Sequence, residues 1–304
     1  MSHGPVNTFA GNPLDRAGDK RLDPAWIAAA GRRPDALTVI FQRGEPLLEK
    51  VGAEGRRIAY AGADLLRTLD GDETVFLGLW KDIPVFAADL SNQPDAPLTS
   101  LSALGAFEDL RMAALAMPPE EAAICATARA MFEWRRRHRF CANCGAPTRS
   151  ADGGWKRMCE TCQAEHFPRT DPVVIMLAVH DGRCLVGRNP NWPETMFSAL
   201  AGFVEPGETL EEACARELKE EAGLTATAVR YVSSQPWPWP SSLMIGLIAE
   251  VADDHVTPDL AEVAAHHWLT RDDVRAILAD ANPEIRAPSK VAIARSLLET
   301  WIQE

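Results

Sequence analysis

The 304-residue sequence lacks any apolar run near the ~18 residues that a membrane-crossing helix needs. Its best stretch, Val173 to Val179, has the length of a strand. Positive charge is in deficit: Lys plus Arg number 31 against 43 Asp plus Glu, a formal net charge of −12. That balance argues against a generic polyanion binder, so a phosphorylated substrate would need cations or local arginines at its site. Met1-Ser2-His3-Gly4-Pro5 lacks the basic-then-apolar order of a secretory leader, and Trp301-Ile302-Gln303-Glu304 is not a peroxisomal address. There is no tandem repeat and no low-complexity tract. What is present is ordinary for a globular protein, with 46% hydrophobic and 24% charged residues. The length suggests about two domains. Seven cysteines, four of them in two CxxC pairs, suit a reducing compartment and a metal site better than a disulfide framework. A cytoplasmic protein with no membrane partner is expected.

Four segments are expected. Residues 1–33 are rich in Gly, Pro and Asp and read as a loose lead-in. Residues 34–135 read as an α+β domain, with half-buried strands around Leu37 to Phe41, Thr74 to Trp80 and Pro84 to Ala88. Ser91 to Pro97 is a polar connector, and the alanine-rich Glu120 to Arg139 reads as a helix entered through Pro118-Pro119. Residues 136–168 form a metal-binding insert. Residues 169–304 read as an α/β domain. Its first strand, Val173 to Val179, is paired with Arg183 to Gly187 across an Asp181-Gly182 turn. Further strands are expected at Tyr231 to Ser233 and Leu243 to Val251, and helices at Asp272 to Ala281 and Ser289 to Ile302.

Cys141 and Cys144 are separated from Cys159 and Cys162 by fourteen residues. Two ligands on each of two turns can present four thiolates tetrahedrally to one zinc ion. A redox pair or four unrelated thiols are the competing readings, and matched pairs at ribbon spacing favour zinc. Four protein ligands leave no open position, so this zinc is structural. Gly145 and Gly153-Gly154 supply the tight backbone such turns need, and Cys125, Cys184 and Cys214 read as small core residues. Just upstream, Arg135-Arg136-Arg137-His138-Arg139 admits two readings: a nucleic-acid surface, or a solvated helix end opposing the C-terminal dipole.

The segment from Gly202 to Leu224 is the most informative. Thr209 followed by Glu212 is a capping box that starts a helix near Leu210, and Gly223 stops it. Leu210, Ala213, Cys214, Leu218 and Ala222 form an apolar stripe. At ~100° per residue, Glu217 falls between Ala213 and Leu210 around the wheel, and Glu221 between Leu210 and Cys214. Both carboxylates therefore point inward, with Glu220 at the margin. They repel each other at i, i+4 and lose hydration, a cost of several kcal/mol unless compensated. Arg216 and Lys219 lie away from them around the wheel. Clustered oxygen ligands facing a cleft suit Mg²⁺ or Mn²⁺, hard ions that bridge carboxylates to phosphate oxygens.

Gly202, Glu208, Arg216-Glu217-Leu218, Glu220-Glu221 and Gly223-Leu224 match the Nudix box position for position. The resemblance implies the Nudix fold, a mixed sheet between helices, and hydrolysis of a nucleoside diphosphate linked to another group. It implies that Glu217, Glu220 and Glu221 hold catalytic Mg²⁺ or Mn²⁺ with the Ala201 carbonyl. Arg216 would orient a glutamate, Glu208 would be mainly structural, and Glu221 is the first choice for activating water.

Ser234-Gln235-Pro236-Trp237-Pro238-Trp239-Pro240-Ser241-Ser242 follows. Its prolines stiffen an extended segment and hold two indoles ready to stack on flat rings; a stiffened core loop is the competing reading. Beside a Nudix box the segment resembles the SQPWPFPxS signature of the NADH pyrophosphatase branch, with Trp239 in place of phenylalanine. That branch also carries a zinc ribbon and a divergent N-terminal α+β domain. The resemblance makes residues 235–242 substrate contacts and Glu262, before Trp268, an additional metal ligand. It also makes Phe167, Arg111 and Ala294 substrate-contacting positions, while Gly154 replaces an expected glutamate. It implies cleavage of NADH or NAD⁺ to nicotinamide mononucleotide and AMP, and a homodimer. Removal of NAD caps from RNA uses the same bond; a catalytically silent nucleotide sensor is the alternative of another class.

Protein purified without chelator should carry about one zinc per chain by elemental analysis. A zinc-free preparation that is folded would contradict the reading of the four cysteines.

Overall fold

The computed structural model describes residues 6–66, 73–92 and 101–304. The chain divides into two compact units. Over the described residues, the first holds Phe9–Thr170 and Trp237–Ser241; the second holds Asp171–Pro236, Ser242–Glu304 and residues 6–8. Of the expected Ser91 to Pro97 connector, residues 93–97 lie outside the described residues.

The first unit is built on a sheet of β1 (Leu37–Gln42), β2 (Glu45–Val51), β3 (Gly55–Ile58), β4 (Thr74–Trp80), β5 (Ile83–Asp89) and β6 (Ala106–Phe107). The order is β3-β2-β1-β5-β4, with β6 on β2 and with β1 parallel to β5. The strands at Leu37 and Pro84 were expected to be half-buried. Four consecutive residues of β1 and five of β5 are buried instead, because the central strands are covered on both faces. The short helices α1 (Pro24–Gly31), α2 (Ala63–Leu66) and α3 (Leu110–Ala113) precede α4 (Pro119–Arg137). Pro119 stands in the first turn of α4, where its missing N–H costs nothing. Glu121 ties α4 to β3: its buried carboxylate accepts from the Ile58 N–H at 2.7 Å and from Arg57 Nη2 at 2.8 Å.

The lead-in is not loose over its described part. Asp15 exchanges backbone hydrogen bonds with Leu79 at 3.0 and 2.8 Å, and Asn12 Nδ2 donates to Thr127 Oγ1 at 2.9 Å. Asp23 caps α1 by accepting from Ala25 and Trp26, and Trp26 meets Phe76 edge-on with centroids 5.5 Å apart. Each anchor makes a separate contact, with the sheet or with α4, so the segment shows no period. The insert forms a three-stranded sheet of β7 (Thr148–Ala151), β8 (Lys156–Cys159) and β9 (Glu165–His166).

The second unit is a mixed sheet between helices, as expected. It contains β10 (Asp171–His180), β11 (Arg183–Arg188), β12 (Leu200–Phe203), β13 (Ala226–Trp237), β14 (Ser242–Val251) and β15 (Ala265–Thr270). The order is β13-β14-β10-β11-β15, with β12 on β10. β10 is parallel to β14 and antiparallel to β11 and β12; Asp181 and Gly182 turn the β10–β11 hairpin with positive φ. Side chains alternate along β10, and both faces are buried. Val174, Met176 and Ala178 pack with Ala213, Cys214 and Leu218 of α5 (Leu210–Ala222). Ile175, Leu177 and Val179 pack with Ile277 of α6 (Arg271–Leu278) and with Leu297 and Trp301 of α7 (Ile293–Trp301). Among the described residues no helix is long and apolar enough to cross a membrane.

Leu177 is wholly buried at the centre of this packing. Leu177→Ala should lower the unfolding free energy by about 2–5 kcal/mol in urea titrations. A loss below about 0.5 kcal/mol would show that β10 is not the core strand.

Candidate functional site

In the second unit the site begins with the cap of α5. Thr209 accepts from the Glu212 N–H, Glu212 returns a carboxylate to the Thr209 N–H, and Gly223 closes the helix in the left-handed region. This fixes the rotation of α5 on the sheet. Glu217 and Glu221 come to rest inside, 8% and 6% exposed, while the Glu220 side chain remains 60% exposed. β12 passes directly over them. A Cβ on Gly202 would lie 1.9 Å from the Glu217 carboxyl carbon, so a larger residue there would displace the Glu217 carboxylate from its place under β12.

One cation does more than the wheel allows. Arg216 Nε and Nη2 grip the two Glu208 oxygens at 2.6 and 2.9 Å, and Nη1 reaches Glu217 Oε1 at 2.8 Å and Glu220 Oε2 at 2.9 Å. Nη2 also donates to the Phe203 carbonyl at 2.9 Å. The expectation that Arg216 lies away from the buried acids is corrected: its stem carries the guanidinium back over them, which a wheel of backbone directions does not register. The Arg216 guanidinium beside Glu208 holds that carboxyl down at about 2. Burial raises Glu217 above the usual carboxylate range, and Arg216 partly offsets this. Among the described residues no cation forms an ion pair with Glu221. Burial first, then the charges of Glu217 and Glu262, push it up to about 8, against a backbone hydrogen bond from Ala201 that lowers it.

Glu221, Glu262 and Ala201 line a 290 Å³ cavity together with Arg188, Asn189 and Trp192. Oxygen donors around a desolvated carboxyl fit a hard divalent cation.

The four cysteines meet in the first unit. Their sulfurs all lie within 4.8 Å of one another, with Cys141 to Cys162 at 3.6 Å and Cys144 to Cys159 at 3.5 Å. Four Zn–S bonds of about 2.3 Å fit that spread. The two turns are built alike. Gly145 N–H donates to the Cys141 carbonyl and Gln163 N–H to the Cys159 carbonyl, each at 2.9 Å, and both residues have positive φ. The second turn was expected to draw on Gly153-Gly154; Gln163 does that work, and the two glycines turn β7 into β8. Cys125, Cys184 and Cys214 are buried. In the basic run, Arg135 is 4% exposed and donates to the Thr74 carbonyl at 2.7 Å, while Arg136 and Arg137 pair with Glu133. Arg135 is therefore not part of a solvated face.

The Pro–Trp segment contributes to both units. Trp237 and Trp239 have centroids 4.9 Å apart. The Arg111 guanidinium lies 4.4 Å from the Trp239 ring centre and 5.4 Å from that of Trp237, and Arg129 Nε donates to the Pro238 carbonyl at 3.0 Å. Phe9, 2% exposed, packs against both indoles; nothing in the sequence of the lead-in marks it. Gln235 departs from its expected role. Its amide nitrogen donates to the carbonyls of Thr8 and Val291, and its oxygen accepts from the Ile293 N–H, so its polar atoms are engaged by backbone. Ala294 is 1% exposed, within the core of α7, and not at a surface open to a ligand. Phe167 is 61% exposed.

Residues 35–134 match the NADH pyrophosphatase-like rudimentary NUDIX domain, residues 136–167 the NADH pyrophosphatase zinc ribbon domain, and residues 168–289 the NUDIX domain. The NAD-capped RNA hydrolase NUDT12 of Homo sapiens is 34% identical over 98% of this chain and 73% of its own length. The NAD-capped RNA hydrolase NudC of Mycobacterium tuberculosis is 39% identical over 94% of this chain and 92% of its own. A NUDIX hydrolase structure from Nitrosomonas europaea aligns with a TM-score of 0.42 and 20% identity, covering 54% of this chain and 90% of that one. The three domain matches and the two relatives at 34% and 39% identity place the chain in the Nudix hydrolase family, in its zinc-ribbon-bearing NADH pyrophosphatase branch.

Proposed function

We propose that this Nudix hydrolase cleaves the diphosphate bond of NAD(H), giving nicotinamide mononucleotide (oxidised or reduced) and AMP. The observation that carries the reading is the buried Glu221 carboxyl, facing a cavity with Glu262 and the Ala201 backbone and, among the described residues, in no ion pair. Glu217, Glu220, Glu221, Glu262 and the Ala201 carbonyl would hold Mg²⁺ or Mn²⁺. When bound, the ions neutralise charge developing on the phosphate oxygens.

The remaining steps belong to the chain. Arg216, anchored on Glu208, orients Glu217 and Glu220. Glu221, once ionised, accepts the proton of the attacking water; the P–O bond of the diphosphate breaks and its oxygen leaves with one product. Burial keeps the proton affinity of Glu221 high enough for a base working near neutral pH. Trp237 and Trp239 offer half-buried indoles for stacking on a flat ring, and Arg111 adds a cation beside them. Pro236, Pro238, Pro240, Ser241 and Ser242 shape that segment; Phe167 offers a further exposed ring. The zinc on Cys141, Cys144, Cys159 and Cys162 is structural.

A second substrate, the NAD cap at RNA 5′ ends, has specific support: both curated relatives described above are named NAD-capped RNA hydrolases. The bond and the residues are the same. A silent sensor has no need of the whole glutamate set, which argues against it. On the family's habit we take the working form to be a cytoplasmic homodimer.

Glu221→Gln should lower kcat by about 10²–10⁴-fold on NADH with Mg²⁺ or Mn²⁺, with zinc content and circular dichroism unchanged. Near-normal turnover would refute the role of Glu221. Product analysis on NADH, NAD⁺, ADP-ribose and NAD-capped RNA should give nicotinamide mononucleotide from NADH and NAD⁺; cleavage of ADP-ribose alone would overturn the substrate assignment.

A further inference from the structure

The first unit contains a 520 Å³ cavity that shares no lining residue with the cavity at Glu221. Its walls include Arg21, Arg149, Lys156, Ile27, Phe76 and Met158. Two of the three cations have acids of their own. Arg149 pairs with Glu160 at 2.8 Å, and Lys156 with Asp152 at 3.0 Å and Glu165 at 2.9 Å.

Arg21 is different. Its guanidinium carbon lies 3.8 Å from the centre of the Trp155 ring, and that of Arg16 lies 5.6 Å from the same ring. Nε and Nη2 of Arg21 are buried and have no hydrogen-bond partner among the described residues. Among the described residues, neither Arg16 nor Arg21 has a carboxylate partner. Two like charges thus share one indole with no acid between them. Stacking on Trp155 offsets part of the repulsion but satisfies no N–H group. Burial, followed by the charge of Arg16, pushes Arg21 down to about 10.

An acceptor-rich anion would satisfy these donors. A guanidinium presents five donors in a planar fork that matches phosphate oxygens. The cavity has the volume of a small-molecule site. Ile27, Phe76 and Met158 add apolar wall beside the charge, as a nucleobase requires. We propose that Arg21, supported by Arg16 on Trp155, binds the phosphate group of a nucleotide in this cavity, as a site distinct from the hydrolytic one. The phosphate is that of a free mononucleotide or of an RNA chain; the chemistry at Arg21 is common to both.

The test is calorimetry on the full-length, zinc-loaded protein without added Mg²⁺ or Mn²⁺, using AMP, adenosine and an uncapped single-stranded RNA oligomer as probes. AMP should bind and adenosine should not. Arg21→Gln should weaken AMP by about tenfold or more, and Arg21→Lys should not restore it, because the planar fork is lost. Arg16 reaches the surface, so Arg16→Gln provides a variant that keeps the fold should Arg21→Gln fail to do so. It should weaken AMP by about threefold. RNA binding that exceeds AMP binding and falls with the same substitutions identifies the chain phosphate as the source; AMP binding that equals or exceeds it identifies the free nucleotide. Binding of AMP and RNA unchanged by Arg16→Gln, equal binding of adenosine, or no binding by the unaltered protein would overturn the proposal.

Discussion

Two carboxylates buried on the apolar stripe of one helix set the terms for the catalytic half of this protein. Glu217 and Glu221 sit one turn apart on α5, where hydrophobic residues would give a more stable helix–sheet contact. The fold deals with the two differently. Glu217 is drawn to Arg216, which also binds Glu208 and Glu220 and so ties the box loop to the helix. Glu221 is left with a backbone N–H and neighbouring acids, and its carboxyl retains its proton into the neutral range. A group so placed gains from a divalent cation, because ionisation and metal ligation then proceed together.

The surrounding architecture serves that placement. β10 is buried on both faces, so α5 can be pressed against one side while α6 and α7 close the other. β12 carries Ala201 and Gly202 over the helix, and the absent side chain of Gly202 brings the strand backbone against Glu217. The cap at Thr209 and the stop at Gly223 then decide which side chains face inward. The zinc ribbon solves a different problem. It has too few residues for a core of its own, and four thiolates on one ion replace what hydrophobic packing cannot supply.

Much of this was legible in the sequence because the signals were local. The capping box, the helical stripe and the C-terminal glycine fixed α5, and the wheel turned Glu217 and Glu221 inward. The CxxC pairs needed only their spacing. What escaped depended on reach or on distant partners. Arg216 was misplaced because a wheel records the direction of a side chain and not its length. Phe9 and the anchors of the lead-in have no period, since each makes its own separate contact with residues far along the chain. Gln235 sits in a substrate signature, yet its amide is consumed by the backbone of Thr8, Val291 and Ile293, which no local pattern reveals. Gln163, and not the Gly153-Gly154 pair, takes the left-handed conformation in the second cysteine turn, because the turn imposes it.

The central claim is that Glu221 is a strained acid relieved by metal. Raising its pKa from 4.5 to about 8 means that between those values the folded chain keeps a proton the unfolded chain has lost. Stability is therefore fullest below the lower value and falls as pH rises through the upper one. The direct measurement is the unfolding free energy of the zinc-loaded protein and its Glu221→Gln variant from pH 5 to pH 9, with and without Mn²⁺. Without Mn²⁺ the unaltered protein should lose stability toward pH 9 more steeply than the variant. Added Mn²⁺ should restore the former far more than the latter. Parallel pH profiles with equal responses to Mn²⁺ would contradict the account.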